Sequence, residues 1–119
     1  MEASILKTIR SMLDMEPDET AYNNDILVHI NSAIMTLTQL GVGPKDGFSV
    51  ADENATWIDF IGDSKLLEGV KQYIYIKTKI AFDPPTSSFV TEALRTMATE
   101  IEFRLNVQAD NGKEEDSNG

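Results

Sequence analysis

Two adjacent prolines, Pro84 and Pro85, limit what this chain can fold into more than any other feature. Neither has a backbone N–H to give to a helix or a sheet ladder, and Pro84 drives Asp83 out of the α region. Helical patterns lie on both sides. From Lys65 to Phe82 the apolar residues Leu66, Leu67, Val70, Tyr73, Ile74 and Ile80 recur as one stripe. From Phe89 to Val107 the run Val90, Leu94, Met97, Ile101, Leu105 keeps steps of four and three. Ser87 and Ser88 are placed to accept the unpaired N–H groups that open the second helix. The stretch Ile80 to Val90 therefore reads as a rigid corner, and the second helix would be about 28 Å long.

The rest of the chain is also patterned for helices. A first helix is predicted over Glu2 to Asp14, with Ile5, Ile9, Met12 and Leu13 on one face and Glu16-Pro17-Asp18 as its stop. A second begins between Thr20 and Asn24 and runs to Leu40, burying Ile26, Ile30, Ala33, Ile34, Leu37 and Leu40, before Gly41 closes it and Gly43-Pro44 prevents its return. Lys45 to Ala55 has no helical period and is predicted to be a loop. Thr56-Trp57-Ile58-Asp59 has the spacing of a capping box, so a short helix anchored by Trp57 and ending near Gly62 should follow it. Asp63 or Ser64 would cap the next helix. The expected class is all-α: a small bundle with a long C-terminal helix and one irregular loop before the short Trp-bearing helix.

At 119 residues the chain has room for one core. We expect a single helical domain over residues 1–107, followed by an acidic, disordered tail over 108–119 whose only apolar residue is Ala109. The net charge of −10 is unevenly spread. Residues 42–63 set Lys45 against Asp46, Asp52, Glu53, Asp59 and Asp63, whereas the two helices around the prolines carry six bases and five acids. An acidic body and a near-neutral hairpin suit contact between subunits, and the overall charge opposes binding to a phosphate backbone. No apolar run approaches the roughly 18 residues that span a bilayer. The start Met-Glu-Ala-Ser lacks the basic residues of a signal peptide. A soluble protein of the cytoplasm is expected.

Enzymatic chemistry finds little support. The chain has no cysteine, and its one histidine, His29, lies within a helical pattern with no second histidine to share a metal ion. Gly41-Val42-Gly43 is followed by proline, which spoils a phosphate cradle. Glu16 and Glu19 have the E-x-x-E spacing of magnesium-binding helices, but Pro17 places them in a turn and no second acidic pair faces them. Glu100 and Glu102 point about 200° apart on a helix and cannot chelate together; Glu100 and Arg104 are spaced for an ion pair. Tyr73 and Tyr75 among Lys71, Lys77 and Lys79 alternate with the wrong period for a stacking face on a helix, so Tyr73 reads as core and Tyr75 as surface. No catalytic, metal or cofactor site is expected.

Taken together, Thr56-Trp57-Ile58-Asp59, Tyr73-Ile74-Tyr75-Ile76-Lys77, Phe82-Asp83-Pro84-Pro85 with Ser87-Ser88-Phe89, and Glu100-Ile101-Glu102-Phe103-Arg104-Leu105-Asn106 resemble the head-tail connector (adaptor) family of tailed bacteriophages. The resemblance extends over residues 4–107 and is most specific at Asp83-Pro84-Pro85 and at Glu102, Arg104, Leu105 and Asn106. Phe103 stands where the family carries an aromatic residue, often tryptophan. The resemblance implies a non-enzymatic virion protein that forms a dodecameric ring beneath the portal protein, extends the DNA channel and receives a stopper or tail-completion protein. It implies no cofactor, no membrane and no specific nucleic-acid binding. It leaves open whether the Asp83, Pro84, Pro85 corner, the Glu102 to Asn106 cluster and Trp57 define the fold or contact other subunits. From the residues alone, a small acidic helical module that binds or regulates another protein is the alternative.

Overall fold

The computed structural model describes residues 3–118, with side chains through Ala109. Five helices, and no strand, occur among the described residues: α1 (Ile5–Met12), α2 (Asn23–Gln39), α3 (Trp57–Ile61), α4 (Leu67–Phe82) and α5 (Ser88–Asn118). This is the expected all-α bundle. α4 lies at its centre, packed against both α2 and α5, while α1 touches both α2 and α4. The core gathers Ile5, Leu6 and Ile9 of α1, Ile26, Ile30, Ile34 and Leu37 of α2, Trp57 and Phe60 of α3, Val70, Tyr73, Ile74 and Ile76 of α4, and Ala98, Ile101 and Leu105 of α5.

The helix ends follow from local chemistry. Ser4 caps α1 by accepting the Lys7 N–H at 3.2 Å. Thr56 caps α3 in a complete capping box: its hydroxyl accepts the Asp59 N–H, and the Asp59 carboxylate accepts the Thr56 N–H, both at 3.1 Å. These two caps also pair with each other through an isolated antiparallel bridge, which ties the start of α1 to the start of α3. α1 ends earlier than predicted, at Met12, because Asp14 takes a left-handed conformation (φ 61°). The Met15 N–H then reaches back to the Arg10 carbonyl and the Asp14 N–H to that of Ser11, the pattern of a Schellman stop. Gly41 (φ 91°) ends α2 in the same way, with the Val42 N–H on the Leu37 carbonyl.

One start falls in the expected range without the expected cap, and another is displaced. α2 begins at Asn23 behind Tyr22, and no side chain caps it. α4 begins at Leu67; its cap is Leu66, while Ser64 forms the preceding turn by accepting the Leu66 N–H at 3.0 Å. At the proline corner, Ser87 rather than Ser88 is the capping residue of α5, taking the Val90 N–H at 3.3 Å. The α5 backbone continues past Val107 to Asn118. The expected disordered tail falls, from Asp110 onward, outside the residues whose side chains are described.

Candidate assembly surface

α5 is joined to the bundle by a small set of specific contacts near its middle. Leu105 is buried against Gly69 of α4, where an added Cβ would sit 3.3 Å from a Leu105 methyl. Tyr73, fully buried on α4, donates its hydroxyl to Glu102 at 3.0 Å. Burial and the adjacent Glu102 carboxylate hold the phenol well above its ordinary range, and a nearby Thr36 hydroxyl opposes that shift only in part. One turn later, the Asn106 amide donates to the Leu40 carbonyl at 3.2 Å, satisfying an unpaired acceptor at the end of α2. Glu102, Leu105 and Asn106 thus fasten α5 to α4 and α2. Arg104, between them in sequence, is exposed and makes no ion pair among the described residues. Glu100 is not its partner despite the spacing.

The other singled-out residues lie elsewhere. Trp57 is buried, its indole N–H donating to the Thr8 hydroxyl at 3.1 Å, with the Lys71 ammonium 5.8 Å from the ring centre. Asp83 caps the end of α4 and pairs with Lys79 at 2.8 Å. Pro84 is exposed and Pro85 half-buried. The corner is separated from the Glu102 to Asn106 contacts by roughly 21–27 Å of α5, so the structure does not bring these residues into one site.

Two buried contacts had no sequence signature. Arg10 inserts its guanidinium into the Glu16 to Glu19 turn and donates to the carbonyls of Glu16, Pro17 and Glu19. A fixed cation therefore fills the turn that the E-x-x-E spacing had offered to magnesium. Asn31 clamps the loop onto α2, giving its amide to the Val50 carbonyl at 3.0 Å and taking the Val50 N–H at 2.7 Å. Neither arginine inside an amphipathic helix nor one asparagine on a helix flank signals such a contact in advance. His29 is half-buried on α2, and no group of three or more metal-ligating side chains occurs among the described residues.

A second apolar face of α5 was also missed. Ala98, Ile101 and Leu105 face the core, whereas Phe89, Phe103 and Val107 project from the opposite side, Phe89 being 82% and Phe103 72% exposed. With Ala93, Thr96 and Glu100 they form a row at steps of four and three, a spacing visible in the sequence but overshadowed by the core stripe. α2 has a matching outer face, where Val28 and Met35 are each 64% exposed opposite Ile26, Ile30 and Ile34. A helix apolar on two sides is characteristic of a helix with packing partners on both.

These features make a helical module whose polar side chains tie helices together and which exposes the large apolar side chains Phe89 and Phe103. A family of phage connector proteins matches residues 5–112, and the chain belongs to that family. Its role is therefore that of a structural connector component of a phage particle. No curated protein and no solved structure matches the chain. None of the described helices is long and apolar enough to cross a membrane.

Proposed function

We propose that the protein is the adaptor that assembles as a ring beneath the portal, extends the DNA channel, and presents the docking surface for a stopper or tail-completion protein. The observation that carries this reading is the second apolar face of α5, with Phe89 and Phe103 in solvent on a helix whose opposite side is already packed. In an isolated subunit that face is an aggregation liability; in a ring it is covered. The acidic surplus supports the channel role, since a wall carrying excess carboxylates repels passing phosphates instead of holding them. Partners are the portal protein and the stopper or tail-completion protein, and the site of action is the head-tail interface of the virion.

Residues 108–118, rich in acids and amides, continue α5 and serve as a segment that a partner contacts. The test of the function is genetic. A phage lacking this gene should produce DNA-filled heads that leak DNA or fail to accept tails. Tailed, infectious particles in normal yield would refute the adaptor role.

A further inference from the structure

We infer that successive subunits of the ring join by seating the outer face of α5, around Phe103, Arg104 and Val107, in the groove at the end of α2 on the next copy. This inference rests on the ring reading above and names the contact that closes the ring. The groove has a volume of about 550 Å³ and is lined by Asn31, Met35, Thr38, Gln39, Asp46 and Phe48, among others. Met35 and Phe48 are its apolar side chains. Met35 is mostly exposed, and Phe48 is only half-buried although it stacks on Phe60 with ring centres 5.1 Å apart.

Three observations select a second copy of this chain as the occupant. The first is shape: Phe103 and Val107 are one helical turn apart, about 6 Å along the axis, and offer a phenyl ring and a branched methyl pair to Met35 and Phe48. The second is charge. Arg104, at the same level of α5, has no carboxylate partner, and Asp46 at the groove has no basic one, among the described residues. The same contrast extends outward, from the hairpin with its surplus base to the acidic stretch 42–63. Glu100 lies on the same row of α5, so the pairing depends on Arg104 and the hairpin bases. The third is placement. Each copy has one of each surface, and one copy does not cover its own: Phe103 stays 72% exposed and Met35 64% exposed. Unlike faces that complement each other make a head-to-tail contact, which closes into a ring when the rotation allows.

The chain has no cysteine, so introduced thiols report on this contact without background. In the experiment, Met35→Cys and Val107→Cys are made singly and together, checked for an unchanged helical spectrum, bound to portal and treated with a short bis-maleimide. We expect the double variant to give a ladder of covalent oligomers on a denaturing gel. A mixture of the two single variants should give only dimers, and each single variant alone only monomers. In parallel, Arg104→Glu should lower the fraction of capped portals about tenfold or more, because like charges then meet around the whole ring, and Asp46→Arg in the same chain should restore it. Capped portals whose double variant stays monomeric on the gel, or an Arg104→Glu defect that Asp46→Arg leaves unrepaired, would overturn this contact while leaving the ring intact. Portals that wild-type protein fails to cap would overturn the ring reading itself.

Discussion

Gly43 shows how closely one residue can be specified. Its φ of +87° is unfavourable for any residue with a Cβ, and that Cβ would lie 2.5 Å from the Phe60 ring. Gly43→Ala should therefore destabilise the fold by about 1–3 kcal/mol in a denaturant titration; an unchanged midpoint would mean that the turn after α2 is misplaced. Asp14 presents the opposite case. It holds a left-handed conformation with open solvent around it, so Asp14→Gly should raise stability by roughly 0.5–1 kcal/mol, read as a melting temperature a few degrees higher. Tyr73 adds a pH dependence. Its folded pKa lies above the unfolded value of about 10. The protonated hydroxyl is thus favoured in the fold, and its contribution is complete below pH 10 and lost as the pH climbs toward the folded pKa. Stability should fall in alkali, and Tyr73→Phe should make that fall shallower, at a cost of about 1 kcal/mol near neutrality for the hydrogen bond to Glu102. An alkaline slope identical in both proteins would contradict the assignment.

At the scale of elements, α5 carries two faces with separable duties. Ile101→Ala and Leu105→Ala should each cost about 2–5 kcal/mol in unfolding free energy, since both side chains are buried against the bundle. Phe103→Ala, two residues from each, should change stability by less than about 0.5 kcal/mol and instead impair assembly on portal. If Phe103→Ala unfolds the isolated protein, the outer face belongs to the core and the assembly surface has been misassigned. This division also indicates how much was legible in the sequence. Periodicity found the helices, the proline corner and the Thr56 capping box, because each is encoded within a few residues. The start at Asn23 falls in the expected range but without a capping side chain, the start at Leu67 was missed because none marks it, and the early end of α1 depends on one left-handed aspartate. The roles of Arg10 and Asn31 were hidden because their acceptors are backbone groups, which leave no trace in residue type. Phe89, Phe103 and Val107 were visible as residues; only packing revealed that the core stripe left them outside.

For the whole molecule, α4 packs against both α2 and α5, and each of those two helices also exposes apolar side chains away from the core. Membership in a phage connector family gives this form its context. The cluster Glu102, Leu105 and Asn106 holds the long helix in place, and thereby sets the direction in which its outer face points. The proline corner fixes where that helix begins. In the proposed ring, these features would fix the direction in which each subunit presents its outer α5 face to the next. The most direct measurement is electron microscopy of purified portal mixed with a saturating excess of this protein. The expected result is a closed ring of added density on one end of the portal, lost with Phe103→Asp. Bare portals at saturation, or density bound as single unconnected subunits, would contradict the adaptor-ring account.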